Sequence, residues 1–193
     1  MPDQSFSLIP FPARLIPAIT ISGWVTMLES WLTVRYVLAG DLNMVFLPAE
    51  SASPRRKDEL WKQTCFEFFL ALKGRPQYWE FNFSPAGDWN VYRMEAYRRI
   101  DFQEEASIQS VRRKIHRATE AFSLQAAVDL RSMLQYEEPL EMGVTAVVHM
   151  KDGNETYWAL THPGPQADFH NRESFTLVPV RQSHPSKQSD PVD

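Results

Sequence analysis

Two acids and an amide alternate with large rings in the middle of this 193-residue chain: Glu67 in "TCFEFFLAL", then Glu80 and Asn82 in "QYWEFNF". In an extended strand, successive side chains point to opposite faces, so Trp79, Phe81 and Phe83 share one side while Tyr78, Glu80 and Asn82 share the other. By the same rule Thr64, Phe66, Phe68, Leu70 and Leu72 form a core face, opposed by Cys65, Glu67, Phe69 and Ala71. The "KGRP" between the two runs is short enough to make them antiparallel neighbours, which puts Glu67 and Glu80 on one face.

Such a pair of carboxylates suits three kinds of chemistry. A glycosidase acid/base pair needs them about 5 to 9.5 Å apart across a cleft, with one pKa raised. A calcium site needs several further oxygens around them. A ligand-orienting site needs only hydrogen-bonding groups beside flat rings, and Trp61, Trp89 and Tyr92 supply rings close by in sequence. The plain alternatives are solvated surface acids, structural hydrogen bonds and tryptophans in a core.

A second group, His162, Asp168 and His170, lies around the Pro/Gly loop of "YWALTHPGPQADFH". His, Asp and His are the types of an open-sided iron triad, although their spacing matches no compact ligand motif. The competing reading is an Asx-type turn at Asp168 with loop histidines bonded to backbone. No G-x-S-x-G elbow or phosphate-cradling glycine loop occurs. Cys65, the lone cysteine and mid-strand, reads as a small packed hydrophobe.

Strands must position these residues, because period-2 alternation dominates and helical periodicity is scarce. Runs at 31–39, 42–47, 64–72, 77–83, 88–94, 108–116, 121–130, 140–150, 156–161 and 174–180 read as strands, separated by turn signals such as "SPAGD" and "KDGNE". Segments 57–61 and 129–134 allow one helical turn each. The pattern predicts an all-β, antiparallel β-sandwich of the immunoglobulin-like or jelly-roll type, with about ten strands. We expect one domain over 1–181 and a disordered polar tail over 182–193.

Composition narrows the partners. A formal net charge of −4 argues against nucleic-acid binding, and the basic spots at 54–57 and 112–114 read as solvated faces. No apolar run reaches membrane-spanning length. One cysteine excludes an internal disulfide. The first residues, with no basic start and several prolines, do not read as a secretory signal, so a cytoplasmic location is expected. Oligomeric state is not legible.

The segment 60–98 with "YWALTHPGPQADFH" resembles the DOMON-like domain proteins, a bacterial group similar to the DOMON superfamily and to family-nine carbohydrate-binding modules. The residues carrying the likeness are Leu60–Trp61, Thr64–Glu67, Tyr78–Asn82, Ser84–Tyr92, Trp158–Pro163 and Asp168–His170. The resemblance implies a β-sandwich with a ligand site on one sheet, no catalysis, and either a sugar or haem as ligand. Sugar-binding relatives hold a chain end between tryptophans with acid and amide hydrogen bonds; Trp61, Trp89, Glu67, Glu80 and Asn82 supply that chemistry here. Haem-binding relatives use Met and His, and Met94, Met142, Met150, His149, His162 and His170 are available. The reading is a non-catalytic module binding a small-molecule or carbohydrate ligand through Trp61, Glu67, Glu80, Asn82, Trp89, Tyr92 and His162. A b-type haem electron-transfer domain, a metal-dependent enzyme using His162, Asp168 and His170, and a protein-interaction sandwich are the alternatives. Haem and calcium are the cofactors to test.

Overall fold

Alternating apolar residues build two facing sheets. The structure is a computed structural model, and it describes residues 4–13, 16–98, 102–134 and 138–183. Its strands are β1 Gln4–Pro10, β2 Ile19–Leu28, β3 Trp31–Gly40, β4 Cys65–Leu72, β5 Tyr78–Phe83, β6 Trp89–Met94, β7 Gln103–Glu104, β8 Arg112–Arg117, β9 Ala121–Asp129, β10 Leu140–His149, β11 Glu155–Ala159 and β12 Arg181–Gln182. Only short 3-10 turns, at Leu42–Met44, Leu60–Lys62 and Arg172–Ser174, interrupt this pattern among the described residues.

The strands follow the order β7-β6-β5-β4-β10-β11-β1-β2-β3-β9-β8, and β12 adds in parallel to β2. The other pairings are antiparallel. β1 turns the corner between the sheets: Gln4–Leu8 pair with β2, while Ile9 and Pro10 pair with Ala159 and Trp158 of β11. The strand thus changes sheets within seven residues, a device that lets a sandwich close on one side.

The main core lies between the sheets. Phe66, Phe68 and Leu70 of β4, with Trp79, Phe81 and Phe83 of β5, meet Leu32, Val34, Tyr36 and Leu38 of β3 and Phe122, Leu124, Ala126 and Val128 of β9. Phe68 and Phe81 stack with ring centroids 4.2 Å apart. Tyr36 is wholly buried among them because its hydroxyl donates to the Glu67 carbonyl at 2.6 Å, so the polar tip is not stranded.

The β5–β6 connection is the "SPAGD" turn. Gly87 sits there at φ +95°, where a side chain would be strained, and its amide donates to the Ser84 carbonyl. That turn sets the register Glu80↔Tyr92 and Asn82↔Asn90.

Two strand expectations are corrected. Segment 42–47 is a 3-10 turn followed by an isolated bridge at Val45, because the Asp41 carboxylate accepts from the Asn43 amide and starts a turn instead of a strand. Segment 174–180 contributes only a bridge, Leu177 to Met142. β1 and β2 escaped the sequence reading because prolines flank them. The expected tail lies outside the described residues except for Gln182 and Ser183, and Gln182 belongs to β12.

Candidate functional site

The outer face of the β4–β5–β6–β10–β11 sheet was expected to be wet; it is covered. Glu67 is 2%, Glu80 7% and Asn82 0% exposed. Registration lines up two rows across the strands. Thr145, Glu67, Asn82 and Asn90 form one, and Gly143, Phe69, Glu80 and Tyr92 form the next. Glu67 and Glu80 are therefore diagonal neighbours on a single face, about 7 to 8 Å apart at their backbones.

A second apolar cluster covers this face. Phe69, Ala71, Tyr78, Tyr92 and Met94 come from the strands, and Trp61, Phe169 and Phe175 fold over them from loops. Gly143 makes room for the cover: a Cβ there would lie 3.0 Å from Phe175 Cδ1. Between the sheet and its cover remains a cavity of about 700 Å³.

Rings form its walls. Trp61 meets Tyr92 edge-on at 5.5 Å, and Tyr92 meets Phe102 at 5.3 Å. Elsewhere on the lining Tyr157 and Phe169 are in edge contact at 6.0 Å. Polar groups sit on the floor. Asn82 Nδ2 donates to Glu80 Oε1 at 2.8 Å, and Thr145 Oγ1 donates weakly to Glu67 Oε2 at 3.4 Å. Glu67 Oε1 has no hydrogen-bond partner. His170 Nδ1 is 2.9 Å from the Tyr78 hydroxyl, and its Nε2 is 4.0 Å from Glu80 Oε2.

Burial decides the protonation of this floor. Loss of water pushes the Glu67 carboxyl well above the ordinary carboxylate range, and the neighbouring Glu80 charge pushes it further. Glu80 rises to about 7 through burial, with the Asn82 hydrogen bond opposing. The same burial, with the Arg98 charge, depresses His170 to about 4, so its ring is uncharged at neutral pH.

The cavity thus gathers Trp61, Glu67, Glu80 and Tyr92 from the sequence-derived site, with Asn82 beneath it holding Glu80. Two expected members are elsewhere. Trp89 points into the core between the sheets, because the period-2 rule places it on the Val91 side of β6; the Arg56 guanidinium lies 4.5 Å from its ring centroid. His162 stays in the Pro/Gly loop, edge-on to Phe11, with Nε2 bonded to the Ile9 carbonyl at 3.0 Å.

His162, Asp168 and His170 do not converge either. Asp168 pairs with Arg98 at 2.9 Å, accepts from Tyr97, and receives the His170 amide in the expected Asx turn. Among the described residues, no group of three or more His, Cys, Asp or Glu side chains is placed to hold a metal, calcium included.

Haem does not fit the residues present. Met142 is in the core, and His149 faces Glu155 at 3.3 Å. Met94 and His170 do line the cavity, but both His170 nitrogens face protein groups, Tyr78 and Glu80.

Sequence reasoning missed Tyr157, Phe169, Phe102 and His170 as lining residues. The alternation in "TYWALT" marks Tyr157 as facing away from the core; the other three come from loops, where no period applies.

No protein-family model and no curated protein matches the chain. Solved structures do resemble it. One is a candidate carbohydrate-binding protein from Bacteroides uniformis, with a TM-score of 0.67 and 12% identity over 94% of this chain and 86% of that one. Another is a family 9 carbohydrate-binding module from Caldicellulosiruptor kristjanssonii in complex with cellotriose, with a TM-score of 0.57 and 9% identity over 99% and 88%. The fold is like that of a carbohydrate-binding module. At these identities the likeness is one of fold alone, and no family model matches to carry a DOMON-like assignment.

Proposed function

We propose that the protein is a non-catalytic module that takes a sugar into the cavity on the outer face of β4, β5 and β6. The observation that carries this reading is the cavity itself: ring walls over a floor of two acids, with Glu67 Oε1 unpartnered. A buried oxygen without a partner is costly, and a sugar hydroxyl donating to it would relieve that cost while a ring stacks the sugar's apolar face. The similar solved structures, described as carbohydrate-binding, support the same reading.

Calorimetric titration with glucose and cellotriose tests the proposal. Wild-type protein is expected to bind at least one of them, and Trp61→Ala to weaken that binding by about tenfold or more, the loss typical of an aromatic anchor. Trp89→Phe, altered inside the core, should bind as wild type. Absence of binding by folded wild-type protein, or an unchanged affinity in Trp61→Ala, would remove the assignment.

A further inference from the structure

The buried acids of the cavity lack a cation. Glu67 and Glu80 make no ion pair with lysine or arginine among the described residues, and the nearest basic group, His170 Nε2, stands 4.0 Å from Glu80 Oε2. Two cationic side chains line the cavity, and each is already matched: Lys62 to Glu59 at 2.6 Å and Arg98 to Asp168 at 2.9 Å. Glu155, the remaining lining acid, faces His149. Around the floor, the other titratable neighbours include Cys65, Tyr36, Tyr78, Tyr92 and Tyr157, all held above their ordinary values and uncharged at neutral pH, while Asp58 accepts from Tyr92 and Glu104 from Asn90 at 2.7 Å.

Rings face the same space: Trp61, Phe69, Tyr78, Tyr92 and Phe169. Aromatic faces attract cations through the ring quadrupole, most strongly where water is excluded. Buried carboxylates without a counter-charge do the same through charge-assisted hydrogen bonds. The unpartnered Glu67 Oε1, in a residue 2% exposed, marks where a donor is lacking. Glu80 Oε2 is a second acceptor within the same lining, since Asn82 occupies Oε1.

From this geometry we infer that the ligand carries a protonated amine: the cavity takes an amino sugar in preference to a neutral one. The ammonium donates to Glu67 Oε1 and Glu80 Oε2 while a ring covers the sugar face. This inference rests on the carbohydrate reading above and narrows it. It also has a proton balance. Placing a cation between the acids favours their ionised forms, so binding expels a proton from the floor to solvent. Affinity therefore rises as pH climbs toward 7, where Glu80 ionises without help, and falls once the amine itself loses its proton.

The experiment is a calorimetric comparison of D-glucosamine, N-acetyl-D-glucosamine and D-glucose with full-length protein, repeated in two buffers of different ionisation enthalpy. Glucosamine should bind about tenfold or more tighter than the other two, in keeping with a charge-assisted contact. Its heat should depend on the buffer, reporting proton release, whereas that of glucose should not. Glu67→Gln and Glu80→Gln, checked for folding by circular dichroism, should narrow the ratio between glucosamine and glucose. Equal affinities, or acetylated and free amine binding alike, would overturn the amine inference and leave the sugar reading standing. If none of the three binds while cellotriose does, the amine inference falls and the sugar reading stands; if cellotriose fails as well, both fall.

Discussion

Glu67 is a carboxyl enclosed by Cys65, Asn82, Thr145 and Glu80, with one oxygen lacking a donor. Its folded-state pKa lies well above 4.5, and that of Glu80 is near 7. An acid with a raised folded pKa keeps its proton in the fold where the unfolded chain has lost it. Above about pH 4.5 the folded state therefore binds more protons, and stability falls as pH climbs. Each such acid removes up to about 1.4 kcal/mol per pH unit across its window. Wild-type protein should thus lose stability between about pH 5 and 7 and beyond. Glu67→Gln should flatten that slope and match or exceed wild type at pH 7. Urea unfolding across this range measures both; a steeper loss in Glu67→Gln would contradict the burial argument.

At the scale of elements, the strap 102–108 is held by the β6–β7 pairing and by one long side chain. Arg56 donates to Asn90 Oδ1 at 2.6 Å, to the Glu105 carbonyl at 3.1 Å and to that of Ile108, while lying over Trp89. Glu105 returns the connection by accepting from Trp79 Nε1 at 2.9 Å. The strap carries Phe102, one wall of the cavity. Arg56→Ala leaves several carbonyls short of donors and should cost about 2 to 4 kcal/mol, the range for breaking a partly buried charged network. Because the strap that carries Phe102 then keeps only its β6 pairing and the Glu105 bonds, sugar affinity should fall with stability. Denaturant unfolding and titration of the same variant check the pair of effects.

In the whole molecule, stability is graded from the sheet centres outward. β4 is paired on both sides, by β5 and β10, and is covered on both faces by the two apolar clusters. β7 and β12 are two residues long, and β8 is an edge strand with a largely exposed face. Amide hydrogen exchange should accordingly be slowest in β4, β5 and β10, and fastest in β7, β8 and β12. Exchange followed by mass spectrometry tests this, and rapid exchange through Cys65–Leu72 would contradict the two-sided cover. Bound sugar should further slow 60–62 and 167–175, the segments that close over the face.

What could be read from the chain alone was whatever repeats every two residues. Alternation in 64–72 and 77–83 assigned Phe66, Phe68, Phe81 and Trp79 to the core and set Glu67, Glu80 and Asn82 on the opposite face, and the short "KGRP" link made these two strands neighbours. In 88–94 alternation parted Trp89 and Val91 from Asn90 and Tyr92 without deciding which side is core. The same alternation already placed Trp89 with Val91; grouping it with the acids because a ring suits sugar binding set chemistry above periodicity. What the other face meets has no such local signature. Whether a strand's second side touches water or protein depends on segments distant in sequence, here Trp61, Phe169, His170 and Phe175, which arrive through loops without a period. Their arrival turned a wet surface into a partly roofed cavity, removed much of the water that would have kept two acids ionised, and brought His170 beside Glu80. Periodicity is a property of the backbone, legible residue by residue; desolvation is a property of enclosure, which only the assembled sandwich possesses.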